Sequence, residues 1–332
     1  MINIVFSCSD WFAPYLSVCL ESLRDHISDE NNYVVTILEK DISEQNKRIL
    51  KQYGTGNLTI AFKNVNELLA GKNFSVHGLS IETYFKLFIP LIFRTGKVLF
   101  CDADIIFLDD PAKLYVTDLK GKKIGASLCH LWNGVINFNP DLRTYSADQL
   151  GLKNPDAYFQ AGVLLYQCDL FTSADFERLF KTAEKKLVCL DQDVLNSCLQ
   201  DDVCQFDTRW NYETAQRGFA ISSPLMNPEH AAAWKAAKEN PAIVHYSGDA
   251  KPWWYPDEEF ADIWWHYARK SPFYELLLLR LVTLAKKQKI ITKWTYFRYK
   301  LLAKITWGRR RKHYKQKCRE AKAVWKNRKE RR

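Results

Sequence analysis

Short apolar runs alternate with segments of helical periodicity along the first hundred residues. The apolar runs have the length and the β-branched content of strands, and they lie at 2–6, 33–38, 58–62 and 97–104. Between them, helices are indicated by leucines at helical spacing (Leu16, Leu20 and Leu23) and by the segments 43–54 and 81–93. Strands that alternate with helices in this way favour a parallel sheet. We therefore expect an α/β fold with a mostly parallel, Rossmann-like sheet and helices on both faces.

The pattern becomes less regular after residue 150. A fifth strand is predicted at 123–129, and further strands at 161–166 and 242–247. Helices are predicted over 173–187, from Asp191 to Leu199 and in the aromatic segment 260–270. A basic extension begins near residue 270. We therefore expect one domain over 1–270 and a basic amphipathic helical tail over 271–332.

Two aspartates interrupt the apolar run KVLFCDADIIFL at residues 97–108. An ionised carboxylate that is buried without a partner costs several kcal/mol, so Asp102 and Asp104 need hydrogen bonds, a proton or a cation. Residues i and i+2 of an extended strand point to one face, which would bring both carboxylates together at the carboxyl end of the fourth strand. A divalent metal would relieve their repulsion. The alternative is a strand end whose aspartates cap backbone N–H groups.

A histidine ends the apolar run of IVHYSGDAKPWW. An imidazole from His245 aimed at the two aspartates would complete an O,O,N ligand set suited to Mn²⁺ or Mg²⁺. Lys251, three residues after Gly248, would then suit a phosphate contact. The alternative is a strand-end histidine beside ordinary surface residues.

The segment Asp191-Gln192-Asp193 opens a predicted helix. Acids near a helix N-terminus are favoured by the helix dipole, so capping is one interpretation. Gln192 is harder to explain as a cap, and its amide could instead face a polar substrate.

Positive charge is concentrated in the tail. The chain carries a formal net charge of +10, yet residues 286–332 hold 20 of the 48 Lys and Arg residues and only two acids, so the rest of the chain is mildly acidic. An apolar stripe recurs at helical spacing among these basic residues, formed by Ile290, Trp294, Phe297, Leu301 and Ile305. This pattern is typical of a helix that lies on an anionic membrane surface, and a basic run begins at Arg309. A solvated tail or a nucleic-acid contact is the alternative, but nucleic-acid binding would not need so regular a stripe.

The cysteines and the apolar runs indicate in which cellular compartment the protein lies. The nine cysteines form no Cys-x-x-Cys pair, and several lie in apolar runs, as free thiols do in a reducing cytosol. The start MINIVFSCSD has no basic leader, and the apolar run LLLLRLVTLA is short and interrupted by Arg280. We expect a cytoplasmic protein attached peripherally to the inner face of the membrane.

Several motifs occur together in one order along the chain: FSCSDWFAPYL, LSIETYFKLFIP, VLFCDADIIF, YFQAGVLLYQ, LDQDVLN and VHYSGDAKPWW. Over about residues 1–270 this series resembles the family-8 retaining glycosyltransferases, in particular the bacterial lipopolysaccharide α-glucosyl- and α-galactosyltransferases. The resemblance implies a GT-A fold and a UDP-hexose donor held through Mn²⁺ or Mg²⁺. It also implies a saccharide acceptor, either an oligosaccharide or a lipid-linked one.

The same resemblance assigns roles to individual residues. Asp102, Asp104 and His245 would be the metal ligands, and Gly248 and Lys251 would contact the diphosphate. The donor side would include Ala103, and Lys86, where relatives commonly carry arginine, would lie near the donor. Asp191 would bind sugar hydroxyls, Gln192 would lie on the β-face of the anomeric carbon, and Phe12 would pack on uracil.

Four positions depart from the family pattern. Ser9 and Trp11 stand where an acid and an amide are usual, Cys129 stands where an acid is usual, and Gln160 replaces the asparagine of an Asn-Ala-Gly motif. The resemblance nevertheless implies that Ser9 and Gln160 line the donor pocket. The departures bear mainly on which sugar is bound.

Together, these expectations predict the reaction that the protein catalyses. A hexose, glucose or galactose, would pass from UDP to a saccharide acceptor of the lipopolysaccharide or lipooligosaccharide core type, with retention. No carboxylate in the matched motifs stands at the β-face, so we favour front-face attack by the acceptor hydroxyl over a double displacement. Two alternatives remain: a catalytically degenerate sugar-nucleotide binder at the membrane surface, and a phosphatase that uses the Asp-x-Asp motif.

Overall fold

The computed structural model describes residues 1–76, 80–214, 219–305 and 314–315, including side chains except those of 284–297 and 305. The chain divides into two compact units, Met1–Tyr274 and Glu275–Arg332. The first unit contains both sheets.

The strands form two sheets. Within the described residues there are ten: β1 (Ile2–Ser7), β2 (Tyr33–Glu39), β3 (Leu58–Asn64), β4 (Lys97–Cys101), β5 (Ile105–Phe107), β6 (Ile124–Ala126), β7 (Val163–Gln167), β8 (Val203–Gln205), β9 (Tyr212–Glu213) and β10 (Ile243–His245). The larger sheet has seven strands in the order β3-β2-β1-β4-β7-β6-β8, and the smaller has the order β5-β10-β9. In the larger sheet only β7 runs antiparallel to its neighbours. The expected mostly parallel α/β sheet is confirmed.

Both faces of the larger sheet are buried. Along β4, Val98 and Phe100 belong to one apolar cluster, while Leu99 and Cys101 belong to the other. Because successive residues of a strand point to opposite faces, each face has its own core, as in a sheet covered by helices on both sides.

The helices that cover the sheets are mostly short. The described residues form α1 (Ala13–His26), α2 (Glu44–Lys51), α3 (Asn66–Leu69), α4 (Ile89–Phe93), α5 (Ala112–Tyr115), α6 (His130–Phe138), α7 (Pro140–Thr144), α8 (Ser173–Ala183), α9 (Leu190–Leu199), α10 (Pro228–Glu239), α11 (Ala261–Ala268) and α12 (Tyr274–Ile305). The predicted helix 173–187 ends early, at Ala183, where the amide of Lys185 donates to the carbonyl of Thr182 at 3.1 Å.

The predicted helix over 81–93 has two parts. Residues Ile81–Phe88 form 3₁₀ turns, and α4 follows. Pro90 has no N–H to extend an α-helical pattern back to Lys86. The Lys86 carbonyl instead accepts hydrogen bonds from the Ile89 amide and, at 3.1 Å, from the Tyr166 hydroxyl.

The Asp-x-Asp segment is not part of one long strand, and this corrects the expectation for 97–104. Strand β4 ends at Cys101, and β5 begins at Ile105 in the other sheet, where it pairs antiparallel with β10. The aspartates therefore lie in the turn between the two sheets, at the carboxyl end of β4. The strand predicted at 123–129 is correspondingly the sixth, and it is shorter, Ile124–Ala126.

The C-terminal unit contains most of one long helix, α12. None of the helices in the described part of the chain has the length and apolar character needed to cross a membrane. Leu301, a member of the apolar stripe, is 60% exposed. The basic run that begins at Arg309 lies outside the described residues, and so do the side chains of Ile290, Trp294, Phe297 and Ile305.

Candidate active site

Three predicted ligand side chains meet where the two sheets join. His245 is the last residue of β10 and lies opposite Ile105, next to Asp104, in the antiparallel pairing with β5. Its Nε2 lies 3.3 Å from Asp104 Oδ1 and 3.9 Å from Asp102 Oδ2. One potential ligand atom from each of the three residues lies within 4.8 Å of the other two. The structure thus brings together Asp102, Asp104 and His245, with Ala103 buried between the aspartates.

A neighbouring glycine makes room for this cluster. The carbonyl of Gly162 accepts a hydrogen bond from the Asp102 amide at 2.7 Å. A Cβ atom at position 162 would collide with the His245 imidazole and would lie 2.9 Å from Asp102 Oδ2. Gly162 was not among the predicted site residues, although it is the glycine that follows Gln160 and Ala161 in the motif YFQAGVLLYQ. Its role follows from packing between strands that are distant in sequence.

The orientation of the His245 ring is set by two amides. Its Nδ1 lies 2.9 Å from Asn211 Oδ1, and the Asn211 amide nitrogen donates to Gln160 Oε1 at 2.8 Å. Because the Asn211 oxygen can only accept, Nδ1 carries a proton and donates to it, and this hydrogen bond turns Nε2 toward the aspartates. Nothing in the sequence around Asn211 marks it as a site residue, so sequence reasoning missed it.

A buried lysine links the aspartate cluster to the predicted sugar-binding residues. Lys86 is 1% exposed, and its ammonium lies 3.2 Å from Asp102 Oδ1 and 2.7 Å from Asp191 Oδ2. It also donates to the carbonyl of Ala161 at 2.9 Å. Although burial opposes its charge, the carboxylates of Asp102 and Asp191 hold the pKa of Lys86 above its usual value. Lys86 therefore remains a cation at the centre of the site.

A second lysine approaches from the loop after β10. The Lys251 ammonium forms an ion pair with Asp104 Oδ2 and donates to the carbonyl of Tyr246 at 2.5 Å. Burial alone would raise the pKa of Asp104, but Lys251 and His245 hold it well below its usual range. Burial raises the pKa of Asp102, and the charge of Asp104 adds to this effect against the opposing influence of Lys86. Gly248, also in this loop, has a positive φ of 72° that glycine adopts without strain.

The two aspartates at the start of α9 have different roles. Asp193 caps the helix, since its carboxylate accepts from the Cys189 amide at 2.7 Å and from the Tyr158 hydroxyl at 2.6 Å. Asp191 instead pairs with Lys86 and accepts a hydrogen bond from the Thr83 hydroxyl. The capping interpretation thus holds for Asp193 but does not account for Asp191.

The side chain of Gln192 is held at both ends of its amide. Its Oε1 accepts from the Ala161 amide at 3.0 Å, and its Nε2 lies 3.8 Å from Cys129 Sγ. This thiol in turn donates to Glu213, a buried carboxyl that sequence reasoning did not select. No motif surrounds Glu213, so only the fold reveals its position.

The predicted base-binding residues follow β1 at the carboxyl edge of the sheet. The carbonyl of Ser9 accepts from the Phe12 amide at 3.0 Å, which starts a turn leading into α1. The half-buried Phe12 ring lies 5.0 Å from Tyr15 and 5.8 Å from Trp253, between ring centroids. Trp11 beside it is 58% exposed.

Residues 3–257 match the family model described as glycosyl transferase family 8. The chain belongs to this family. The match spans both sheets and all three residues of the Asp102, Asp104 and His245 cluster. This family match excludes the alternative of a phosphatase that uses the Asp-x-Asp motif, because such phosphatases have a different fold.

Curated relatives are distant in sequence. General stress protein A of Bacillus subtilis is 23% identical over 264 residues, which cover 76% of this family-8 chain and 87% of the relative. Glycosyltransferase GlyF of Streptococcus pneumoniae serotype 4 is 25% identical over 271 residues, which cover 80% of this chain and 61% of GlyF.

Solved structures share the fold. The apo structure of the bifunctional glycosyltransferase WbbM aligns with a TM-score of 0.78 at 26% identity, covering 85% of this chain and 52% of that chain. The galactosyltransferase LgtC, solved with donor and acceptor sugar analogues, aligns with a TM-score of 0.59 at 24% identity. The alignment covers 82% of this chain and 96% of the LgtC chain. The family-8 chain thus has the GT-A fold, and it spans about half the length of the WbbM chain.

Replacing Gly162 with alanine tests whether close packing shapes the ligand cluster. The new methyl group must displace His245 or Asp102, so we expect Mn²⁺ affinity, measured by electron paramagnetic resonance with UDP present, to fall at least about tenfold. Overpacking should lower the free energy of unfolding by about 1–3 kcal/mol.

Gly125→Ala is the matched control. Its Cβ would lie 2.8 Å from Leu119 Cδ2, a flexible side-chain end away from the site. This variant should lose similar stability but bind Mn²⁺ normally. Equal Mn²⁺ affinity in the Gly162→Ala variant and the control would refute the packing argument.

Proposed function

We propose that this chain is a retaining hexosyltransferase that moves glucose or galactose from a UDP-sugar to a saccharide acceptor of the lipopolysaccharide or lipooligosaccharide core type. The observation that carries the proposal is the continuous ion-pair network from Asp104 through His245, Asp102 and Lys86 to Asp191. It joins the residues assigned to the diphosphate with those assigned to the sugar. A catalytically degenerate sugar-nucleotide binder would not need an ion-pair network that connects its diphosphate-binding residues with its sugar-binding residues.

The ligand cluster fits a divalent ion. Two carboxylates and one imidazole, with Nε2 turned toward the carboxylates, are ligand groups suited to Mn²⁺ or Mg²⁺, and Gly162 leaves the space they need. When bound, the ion would act as a Lewis acid that stabilises the departing diphosphate. We propose Asp102, Asp104 and His245 as its ligands.

Cationic side chains of the protein complete the diphosphate side. Lys251 lies on the flank of Asp104, within reach of a phosphate oxygen placed beside the cluster. Gly248 has a positive φ, a loop conformation in which backbone amides can bind an anion, and we propose that its backbone contacts a phosphate. Phe12, Ser9 and Gln160 are proposed to line the uridine and sugar ends of the donor.

On the sugar side, Asp191 is proposed to accept hydrogen bonds from hydroxyls and Gln192 to lie at the β-face of the anomeric carbon. The Gln192 amide is a weak nucleophile, and two hydrogen bonds already hold it. In the front-face reaction, the acceptor oxygen bonds to the anomeric carbon as the bond from that carbon to the diphosphate oxygen breaks. The acceptor proton passes to the departing phosphate oxygen.

The tail is proposed to bind the anionic inner face of the cytoplasmic membrane. Helix α12 continues through the predicted amphipathic segment to Ile305, and Leu301 is exposed on it. Each basic side chain near such a surface contributes about 1 kcal/mol. Residues 1–270 would then carry out transfer beside a lipid-linked acceptor, while 271–332 would attach the protein to the membrane.

Replacing Asp104 with asparagine should abolish metal-dependent release of UDP from a UDP-hexose. One ligand charge is lost, so Mn²⁺ affinity should fall on the order of 100-fold or more, while the fold persists because carboxylate repulsion is also relieved. Asp109→Asn is the control, because Asp109 has similar burial and pairs with Arg209 outside the site. Wild-type UDP release from the Asp104→Asn variant, or from the intact protein in EDTA, would contradict the metal assignment.

Replacing Gln192 with alanine should slow turnover on the order of 100-fold without weakening UDP or Mn²⁺ binding, because its proposed contact is with the sugar. Gln200→Ala, which follows the same helix and contacts Lys153 and Gly151, should turn over normally. The measurement is kcat and KM with the UDP-hexose that a donor screen selects. A sugar trapped covalently on Gln192 would exclude the front-face route, and unaltered kcat would exclude the residue from the reaction.

Deleting residues 286–332 should release the protein from vesicles that contain an anionic phospholipid but spare transfer to a soluble acceptor fragment. Binding of the intact chain should weaken as salt rises, since screening reduces the attraction. Leu301→Glu should weaken it without affecting catalysis. Full co-sedimentation of the truncated chain, or equal binding of the intact chain to neutral phosphatidylcholine vesicles, would count against membrane attachment.

A further inference from the structure

Glu213 is a buried carboxyl directly beside the ligand cluster. It is 5% exposed and lies opposite His245 in the parallel pairing of β9 with β10. Opposed residues of neighbouring strands project from the same face of a sheet, so Glu213 projects to the His245 side. A carboxyl buried to this degree needs hydrogen-bond donors, and its partners identify its role.

Both carboxylate oxygens of Glu213 accept hydrogen bonds. Oε1 accepts from the Ser247 hydroxyl at 2.9 Å, and Oε2 accepts from the Cys129 thiol at 3.3 Å. A hydrogen bond from the Gln160 side chain also favours the charged form, although burial raises the pKa of Glu213 overall. Burial and the charge of Glu213 raise the pKa of the Cys129 thiol, which therefore keeps the proton that it donates.

Two of these partners are positions where the chain departs from the family pattern. Cys129 stands where an acid is usual, and Gln160 stands where an asparagine is usual. The two residues are distant in sequence, yet both contact Glu213. In place of the acid missing at position 129, the site has the Glu213 carboxyl on β9, and the Cys129 thiol lies between this carboxyl and Gln192.

We propose that Glu213 is a positioning residue that replaces the acid missing at position 129 and holds the Gln192 amide in place through the Cys129 thiol. This inference rests on the proposed role of Gln192 at the sugar. The thiol connects the two groups, since it accepts from Gln192 Nε2 at 3.8 Å and donates to Glu213 Oε2 at 3.3 Å. Gln192 retains its second contact, to the Ala161 amide, when Glu213 is removed.

The consequence is a specific kinetic pattern. Without Glu213 the amide pivots on its Ala161 contact, so kcat should fall while the KM for the UDP-hexose changes little. The two hydrogen bonds of the Glu213 carboxylate can be tested separately. Ser247→Ala removes the hydrogen bond from Ser247, which precedes Gly248, and leaves the hydrogen bond from the Cys129 thiol intact. That variant should affect the KM for the donor more than kcat.

Moving the carboxylate tests the proposal. We expect Glu213→Ala to lower kcat by about 10- to 100-fold, the range for loss of an orienting partner. Cys129→Asp alone should also be impaired, because it places two buried carboxylates together. The double variant Cys129→Asp/Glu213→Ala should exceed Glu213→Ala and recover to within about threefold of the wild-type kcat, because the charge then lies beside Gln192 again.

If Glu213→Ala does not fold, Glu213→Gln replaces it, because glutamine keeps the shape of the side chain and removes its charge. Folding and UDP–Mn²⁺ affinity are measured for every variant. Recovery in the double variant supports the proposal. It is overturned if folded Glu213 variants keep the wild-type kcat, or if the double variant is no faster than the Glu213 single variant. A wild-type protein that releases no UDP from any UDP-hexose would instead defeat the proposed function, which distinguishes the two failures.

Discussion

Repulsion between Asp102 and Asp104 is the constraint around which the site is organised. Their ligand atoms lie in one small volume at the junction of the two sheets. Three nitrogen groups of the protein offset this repulsion: Lys86 beside Asp102, Lys251 beside Asp104, and the His245 imidazole beside both. The carboxylates can therefore stay close together, ready to bind a cation, without unfolding the turn that holds them.

Lys86 extends this arrangement to the sugar side of the site. Burial of an ammonium costs several kcal/mol unless carboxylates compensate for it, so Lys86 needs Asp102 and Asp191 together. Lys86 thus connects Asp102, after the end of β4, with Asp191, at the start of α9. Lysine at this position offers a point charge rather than the planar fork of arginine, so it joins two carboxylates without dictating bidentate geometry.

The small sheet contributes a second set of polar groups. Asn211 and Glu213 lie on or next to β9, and they reach His245, Gln160 and Cys129 across strand boundaries. Two of the four positions that depart from the family pattern, Cys129 and Gln160, thus contact one carboxyl, Glu213. A site that had lost its function would be under no constraint to keep these groups mutually hydrogen-bonded.

The sequence by itself determined the local elements and most of the residues that meet in the site. Apolar periodicity located six of the seven strands of the larger sheet but missed β8. A family resemblance carried by ordered motifs selected Asp102, Asp104, Lys86, Asp191 and His245 as functional positions. The resemblance to family 8 and the expected fold are confirmed. The chemical roles of the individual residues stay proposals.

Tertiary structure decided what depends on contacts between distant segments. Periodicity within 97–108 could not show that β4 and β5 belong to different sheets, because strand pairing is set by partners outside the segment. For the same reason Asn211 and Glu213 carry no local signal, and the motif that contains Gly162 does not show that this glycine packs against His245. The space that Gly162 leaves, and the hydrogen bonds that Asn211 and Glu213 make, exist only once strands far apart in sequence lie side by side.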